Sequence, residues 1–353
     1  MGKKTYAPII VIAIVASVLL FVPMIPYAYS GGQNIPYNAS VDSINLVVGS
    51  DSSDIYVRYA SSPIAALIDI AWDYTIWHPL LAFPSVQVTF DNATLGTILS
   101  INFTSTILGF RLAGVNLMTT VITINPTLLT NLTIDIGSGN LDLNTLDFTN
   151  KTFGNVAFQT LSGNTMATFF SDCLITNNLT CTTGSGNIDI NLETGCEIGG
   201  VFRTIAGSGN IDVTAKENCT FNKDFKLQAG SGNIDLTTTN ISLNGNDVEG
   251  LIIATSGNFV GTLTQRTGLN GNLTLDINTG SGNCRLVQDY AATAIGSIID
   301  AHTLSGTVYH GTLLGYTESP INYFTSDNGT LGSNIDFDID IGSGNINLLG
   351  GYN

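Results

Sequence analysis

The stretch TIAGSGNIDVTA, residues 204–215, contains the word GSGNID, which returns in several forms along the chain. Close copies occur in IDIGSGNLDL, TTGSGNIDI, QAGSGNIDL, NTGSGNCRL and DIGSGNINL, and weaker ones in LSGNTMAT, TSGNFVGT and LSGTVYHG. A phosphate-binding loop would carry a Lys followed by Ser or Thr after its glycines, whereas Ile and Asp follow here. We therefore interpret the word as a structural turn that the chain uses many times.

The copies recur at a nearly constant interval when they are aligned on their Asn. The aligned positions are Asn140, Asn164, Asn187, Asn210, Asn233, Asn258, Asn283, Thr307 and Asn345. Neighbouring positions are separated by about 23–25 residues as far as Thr307, and a longer step leads to Asn345. A fixed period in the range of about 20–50 residues is typical of stacked-repeat proteins, because one such unit cannot bury an apolar face alone.

The residues around the word alternate between apolar and polar. Ile211, Asp212 and Val213 are one example, and the segments LTIDI and FDIDI before other copies alternate in the same way. A period of two indicates strands with one buried face. We therefore predict an all-β fold, a single-chain parallel β-solenoid (β-helix) with coils of about 23–25 residues. The glycines of each word would form a corner, and the Asn would hydrogen-bond there or stack into an amide ladder.

The chain is apolar enough to bury a core but carries few charges. Of its 353 residues, 44% are hydrophobic and 11% are charged, against roughly 25% charged in average globular proteins. The formal net charge at pH 7 is −16, which opposes binding to nucleic acid and to anionic lipid. Nucleic acid is therefore not expected among the partners.

Residues 1–30 have the pattern of an export segment. Two lysines precede an apolar run over residues 7–25, and the small residues AYS follow before Gly31. The run is longer than the roughly 7–15 apolar residues of a signal peptide and is long enough to span a bilayer. Two alternatives stay open for residues 1–30: a signal peptide cleaved near residue 30, or a transmembrane helix that anchors the protein. The rest of the chain is expected outside the cell.

Residues 31–130 follow the repeat less clearly. INLVVGSDSSDIYVRY resembles a diverged copy with Asp54 at the Asn position, and the gap from there to the next aligned Asn would hold three or four coils. The apolar stretch PIAALIDIAWDYTIWHPLLAFP contains both Trp72 and Trp77. We predict diverged N-terminal coils and a cap in residues 31–130, ahead of a GSGN-repeat solenoid in residues 131–353. The alternative for the apolar stretch is an aromatic binding patch or a subunit interface.

Three acidic residues stand at one position of successive copies, namely Asp189, Asp212 and Asp235. In a parallel stack they would form an outward column with a spacing of about 4.8 Å. Like charges at this distance repel unless they are screened, protonated or bridged by a cation. A calcium ion held by this column is therefore the one cofactor hypothesis; no other cofactor is expected.

Three of the five cysteines follow the repeat. Cys173, Cys196 and Cys219 are separated by one repeat interval each, and each occupies the same place after its repeat Asn. They should stack on neighbouring coils, within the Cα distance that a disulfide requires, in an oxidising compartment. We predict one disulfide among the three, with Cys181 as a partner for the remaining thiol. Cys284 replaces the apolar residue after GSGN and is expected to be a free core thiol.

An exported chain can be N-glycosylated at Asn-x-Ser/Thr sequons. The candidates are Asn38, Asn92, Asn102, Asn131, Asn150, Asn178, Asn218, Asn240, Asn272 and Asn328.

Catalytic motifs are not apparent. The three histidines, His78, His302 and His310, belong to no recognisable hydrolase or metal motif. The enzyme alternative is a polysaccharide-degrading solenoid that uses paired carboxylates, or carboxylates with Lys or Arg, along one flank. The basic residues available for this role are Arg203, Lys216, Lys223 and Lys226.

GSGNID words at this regular spacing, behind an export segment, resemble the putative-adhesin families of secreted β-solenoid proteins. These include the head-domain type named for a Gly-Ile-Asn signature. The resemblance covers roughly residues 130–353 and implies an all-β, non-catalytic surface domain. It identifies no functional residue, because the shared residues are turn and core positions.

The sequence as a whole indicates an exported, glycosylated, cell-surface β-solenoid that acts without catalysis in adhesion or cell-envelope structure. Its expected partners are cell-surface glycans, envelope proteins or the protein itself, with the membrane contacted only through the N-terminal segment. Two alternatives are a glycan-active β-helix enzyme and a filament. In the filament, the open edge after INLLGGYN would template the first coil of the next subunit.

Overall fold

The computed structural model describes residues 27–36, 43–52, 54–60, 66–76, 85–91, 97–104, 115–125, 128–143, 150–291, 295–311, 313–318, 322–326 and 334–352. The regular elements in these ranges are all strands. In this part of the chain, no helix is sufficiently long and apolar to cross a membrane. The predicted N-terminal helix lies outside the described residues, as do Trp77, His78, Asn38, Asn92 and Asn328.

The strands follow in this order: β1 Tyr27–Pro36, β2 Ser43–Ser52, β3 Asp54–Tyr59, β4 Ala66–Ile76, β5 Ser85–Asp91, β6 Thr97–Thr104, β7 Val115–Ile124, β8 Leu129–Ser138, β9 Leu141–Asp142, β10 Thr152–Ser162, β11 Thr165–Phe169, β12 Leu174–Ile175, β13 Leu179–Ser185, β14 Ile188–Leu192, β15 Glu197–Ile198, β16 Phe202–Ser208, β17 Ile211–Ala215, β18 Thr220–Phe221, β19 Phe225–Ser231, β20 Ile234–Thr239, β21 Asp247–Ser256, β22 Phe259–Gln265, β23 Asn272–Ser281, β24 Cys284–Tyr290, β25 Gly296–Ser305, β26 Val308–His310, β27 Tyr316–Glu318, β28 Tyr323–Ser326, β29 Asn334–Ser343 and β30 Ile346–Tyr352.

Most of these strands belong to two long sheets. In sheet 1, neighbouring strands are β1-β4-β7-β3-β9-β11-β14-β17-β20-β22-β24-β30-β26. The long strands of sheet 2 are β5-β6-β2-β8-β10-β13-β16-β19-β21-β23-β29-β25-β28-β27. Pairing is parallel except where β1, β4, β5, β27 and β28 take part. The fold is therefore all-β with long, mostly parallel sheets, which is consistent with a β-solenoid.

The predicted alternation sets which side chains enter the core. In β17, the side chains of Ile211, Val213 and Ala215 are buried, while Asp212 points outward. Ile211 pairs in register with Ile188 on β14 and with Ile234 on β20. Identical positions of successive copies therefore stack, and their apolar side chains form one continuous core.

The Asn of each word hydrogen-bonds to backbone at the corner, which is the first of its two predicted roles, and these bonds link successive coils. Oδ1 of Asn187 accepts a hydrogen bond from the backbone N–H of Asn210, and Oδ1 of Asn210 accepts one from Asn233, both at 2.9 Å. We name this run of bonds the asparagine ladder. It continues through the remaining aligned copies to Thr307. The ladder satisfies one corner N–H group in each coil and fixes the register.

The last strand of the chain is internal. β30 pairs with β24 on one side and with β26 on the other, and β29 likewise lies between β23 and β25. The expectation of an open edge after INLLGGYN is therefore wrong, because the backbone groups of β30 are used on both sides. The long step before Asn345 has the same origin. Along the chain, β25–β26 come before β29–β30, but in space β29–β30 lie between β25–β26 and β23–β24.

The first copy of the word is also inserted out of order. β2 lies between β6 and β8, and β3 lies between β7 and β9. Oδ1 of Asp54 accepts a hydrogen bond of 2.8 Å from the backbone N–H of Asn140, which confirms that Asp54 occupies the Asn position. The expectation of three or four coils in the following gap is wrong for the described residues. They form one parallel coil, β6–β7, flanked by the antiparallel strands β4 and β5.

Candidate interaction surfaces

The outer face of sheet 1 carries the predicted carboxylate column, Asp189, Asp212 and Asp235. These residues are register partners on the neighbouring strands β14, β17 and β20. Burial raises the pKa of each carboxyl group, and the neighbouring carboxylate raises the pKa of Asp189 and Asp212 further. The sequence therefore correctly predicted a stack of repelling charges.

The surroundings of the carboxylate column are polar. Nδ2 of Asn191 donates a hydrogen bond of 2.8 Å to Oδ1 of Asp189, which partly offsets the cost of that charge. Across the described residues, no group of three or more His, Cys, Asp or Glu side chains is arranged to hold a metal ion. Binding of calcium to the column stays a prediction.

The three repeat cysteines form the predicted stack, here named the cysteine column. The backbone N–H groups that follow Cys196 and Cys219 bond to the carbonyls of Cys173 and Cys196, each at 2.8 Å. All five cysteines of the chain are buried and carry free thiols in the structure. Sγ of Cys196 donates to the carbonyl of Phe169 at 3.1 Å, and Sγ of Cys219 donates to that of Glu193 at 3.0 Å. The predicted disulfide among these cysteines stays a prediction.

The middle thiol of the cysteine column, that of Cys196, differs from its neighbours in the direction of its pKa shift. A hydrogen bond from Cys219 lowers the pKa of Cys196, whereas the same contact and burial raise the pKa of Cys219. Burial also raises the pKa of Cys173 and raises those of Cys181 and Cys284 to about 12. Cys196 is itself buried, so the lowered pKa concerns its exchange with the neighbouring column cysteines and not its reaction with reagents in solution.

The described sequons lie in strands and in turns. Asn131 and Asn178 use their Oδ1 atoms to accept backbone N–H groups of Asn155 and Val201 on the next coil. Nδ2 of Asn272 donates to Asp247 at 2.8 Å, and Asn102 lies within β6. The other described sequons are turn residues with positive φ, at Asn150, Asn218 and Asn240. Asn tolerates this left-handed conformation, which supplies a structural reason for these three. Their glycosylation stays a prediction.

The outer face of sheet 2 brings together charges that sequence reasoning missed. Asp338 on β29 lies in register between Asp276 on β23 and Asp300 on β25. Burial, together with the charges of Asp340, Asp276 and Asp300, raises the pKa of Asp338. The alternation in FDIDI showed that these carboxylates point outward, but the order of the strands, which sets their neighbours, is not a local property of the sequence.

An open groove of about 760 Å3 lies beside these carboxylates. Its lining includes His302, Asp340, Asn278 and Leu304. Nε2 of His302 lies 2.9 Å from Oδ1 of Asp300. The groove therefore combines an imidazole, one carboxylate and apolar side chains on one accessible surface.

Comparison with protein-family models finds no match, and comparison with curated proteins finds none either. Solved structures with a similar arrangement include a "putative lipid binding protein" from Parabacteroides distasonis, with 15% identity, a TM-score of 0.40 and coverage of 91% of this chain and 96% of that one. A "putative adhesin" from Bacteroides fragilis has 13% identity, a TM-score of 0.33 and coverage of 91% and 97%. A "putative cell adhesion protein" from Clostridium sporogenes has 9% identity, a TM-score of 0.24 and coverage of 92% and 100%. At these scores the similarities carry no argument about function.

Proposed function

We propose that this protein is an exported, cell-surface β-solenoid that acts without catalysis, in adhesion or in cell-envelope structure. The proposal includes a signal peptide or membrane anchor in residues 1–30, diverged coils and a cap in residues 31–130, and a repeat solenoid in residues 131–353. The length of its coils follows from the spacing of the repeat. It also includes N-glycosylation and membership of the adhesin-type families named from the sequence.

The observation that carries the proposal is the repetition of outward side chains in register along both sheets. The carboxylate column is one such row, and the charged residues of sheet 2 form another. The asparagine ladder holds the backbone of successive coils together. Extended repeat surfaces of this kind suit broad polar contacts with glycans or with other surface proteins. The apolar run over residues 7–25 supports an extracellular location.

The test is localisation followed by deletion. Native cells are fractionated, and the protein is expected in the envelope or shed fraction, with the N-terminus either retained or cleaved near residue 30. Cells that lack the protein are expected to attach less well to a glycan-coated surface or to show an altered envelope, and the wild-type gene should restore both. Recovery of the protein only from the cytosol would contradict the proposal, as would a deletion that changes neither property.

A glycan-active enzyme is the second candidate, and the groove that contains His302 and Asp340 is the observation that favours it. Paired carboxylates on one flank are what glycoside hydrolysis requires. The enzyme hypothesis predicts that a polysaccharide loses chain length with the wild-type protein and keeps it with Asp338→Asn and Asp340→Asn. Binding without any change in chain length would count against it.

An end-to-end filament is the remaining alternative. With β30 internal, the outer strand of sheet 1 at that end of the described stack is β26, which is short. A filament would show a sedimentation coefficient that grows without limit as concentration rises, whereas a closed assembly reaches a plateau.

A further inference from the structure

The outer face of sheet 2 segregates its charges along the stack. One row of outward side chains crosses seven neighbouring strands from β13 to β25, here named the charged row. In spatial order it consists of Thr180, Arg203, Lys226, Leu251, Asp276, Asp338 and Asp300. The basic residues therefore lie on one side of Leu251, and the acidic residues lie on the other side.

The two basic residues and the two nearer acidic residues are equally far from Leu251. Lys226 and Asp276 are each one strand away, and Arg203 and Asp338 are each two strands away. With about 4.8 Å between strands, Arg203 and Asp338 are roughly 19 Å apart along the stack. A half-turn about an axis parallel to β21, just outside the face and above Leu251, would place Arg203 opposite Asp338 of a second copy. The same rotation would place Lys226 opposite Asp276.

Among the described residues, one charge of the row, Asp300, has an ion-pair partner, and Arg203, Lys226, Asp276 and Asp338 have none. The ion pairs of the described residues join Lys216 to Glu193, Arg266 to Asp289, His302 to Asp300 and His310 to Glu318. Neither Arg203 nor Lys226 takes part in them, although the two are register neighbours of like charge. Asp338 is flanked in register by two further carboxylates. Within one molecule, the basic residues of the row repel each other, and so do the acidic residues. In the dimer, the basic residues of each molecule would face the acidic residues of the other.

The shape of the face fits the same rotation. Leu304 on β25 is 92% exposed, the highest value of any large apolar side chain in the described residues. It lies three strands from β21, and the matching position three strands away on the other side is Gly184 on β13. Leu304 of the second copy would therefore pack against exposed backbone at Gly184, next to Gly207. Exposed leucine otherwise costs hydration free energy.

We propose that the outer face of sheet 2 binds a second copy of this chain. The twofold axis lies outside Leu251 and parallel to β21, so that the strand stacks of the two molecules run in opposite directions. Such an interface is isologous and closes at two molecules. Six strand intervals by about six residues cover roughly 600 Å2 per molecule, somewhat less than the roughly 800 Å2 of stable complexes. We expect a dimer with a Kd in the micromolar range. The inference goes beyond the proposed function and does not rest on it.

A cysteine on the axis tests the geometry. Leu251→Cys in the full-length chain should form a covalent dimer within minutes of mild oxidation by diamide, because each introduced thiol faces its own copy. Asp212→Cys, on the outer face of sheet 1, is the matched control and should remain monomeric. The native cysteines are buried. Equal cross-linking of the two variants, or none in Leu251→Cys, would overturn the proposal.

Charge reversal tests the pairing. Full-length protein in one nonionic detergent is followed by analytical ultracentrifugation, so that any association through the N-terminal segment is the same for every variant. Arg203→Glu and Asp338→Arg should each weaken dimerisation at least about tenfold, because like charges would then face each other. The double variant should return to within about threefold of the wild type. Arg285→Glu, an exposed change of equal charge on sheet 1, should leave dimerisation unchanged.

A substitution at Glu249 should strengthen the dimer, in contrast to the charge reversals. It is exposed on the axis strand β21, two positions before Leu251, and would face its own copy. Glu249→Gln should therefore tighten the dimer, and added salt should weaken the wild-type dimer. Each variant is checked by circular dichroism for an unchanged fold. Single charge reversals that dimerise like the wild type, or a double variant no better than the singles, would refute the pairing.

Discussion

The backbone N–H of Asn210 donates a hydrogen bond of 2.9 Å to Oδ1 of Asn187 on the preceding coil. Asn210 in turn accepts the N–H of Asn233 at the same distance. Each Asn therefore acts as donor toward one neighbouring coil and as acceptor toward the other. A side chain that recurs in nearly all aligned copies is thus explained by the backbone that it secures, without any ligand.

Asn210→Ala should destabilise the protein. The change removes the acceptor for the Asn233 N–H, and a net hydrogen bond contributes about 0.5–1.5 kcal/mol. Asn210→Asp keeps an acceptor oxygen, as Asp54 does naturally in the first copy, and should lose less. Urea unfolding of both variants measures the difference. Equal midpoints for Asn210→Ala and the wild type would show that water replaces the bond fully.

Gly209→Ala should be more harmful than the loss of a ladder bond. A methyl group at Gly209 would overlap the carbonyl oxygen of Gly186 on the coil below. Because backbone cannot yield as a flexible side chain does, we expect a loss of about 3 kcal/mol or more. Gly268→Ala is the matched control, since nothing lies within 4 Å of the added atom. Thermal unfolding that ranks the two variants equally would contradict the close-packed corner.

The carboxylate column should make stability fall as pH rises. Burial, and for two of the three residues a neighbouring charge, raises the pKa of Asp189, Asp212 and Asp235 above the ordinary value of 3.8. The folded chain therefore binds more protons than the unfolded chain just above pH 3.8, and the contribution is lost as pH rises through the raised values. Asp212→Asn should stabilise at pH 7 by less than about 1 kcal/mol, because solvent screens the charges. Urea unfolding of Asp212→Asn and the wild type between pH 3 and pH 7 tests this, and identical pH profiles would refute it.

The calcium hypothesis adds a separate expectation. If the column binds calcium, millimolar calcium should raise the unfolding midpoint of the wild type and leave that of Asp212→Asn unchanged. Calorimetry on the folded protein gives an independent reading. A titration without binding heat, together with midpoints that calcium does not move, would remove calcium from the description of this face.

The cysteine column should hold one disulfide in the exported protein. Of the five cysteines, alkylation after unfolding without reductant should then find three thiols if only the column bond forms, and one thiol if Cys181 also pairs with the remaining column cysteine. Cys196→Ser should abolish the bond, since Cys196 is the middle member and the thiol with the lowered pKa. Cys284→Ser, a core thiol outside the column, should leave it intact. Five reactive thiols in protein collected from the native envelope would refute the prediction.

The regular part of the fold was predictable because its signals are local. The alternation around Ile211 and Val213 determined which face is buried, and the constant step between Asn residues determined which strands pair in register. The stacking of Asp189, Asp212 and Asp235, and of the repeat cysteines, follows directly from that period. The asparagine ladder was also foreseen, since Asn suits a tight corner and can bond to backbone groups.

The ends of the stack were not predictable in the same way. Strand type, buried face and period follow from the amino-acid sequence alone, because they depend on residues close together in the chain. The order of the strands is a property of the folded chain, in which β29–β30 lie inside β25–β26 and β2–β3 lie inside β6–β7. Pairing between distant strands depends on which edges are free when the chain returns, and no local pattern records it. That order places Asp338 between Asp276 and Asp300, and so creates the charged row.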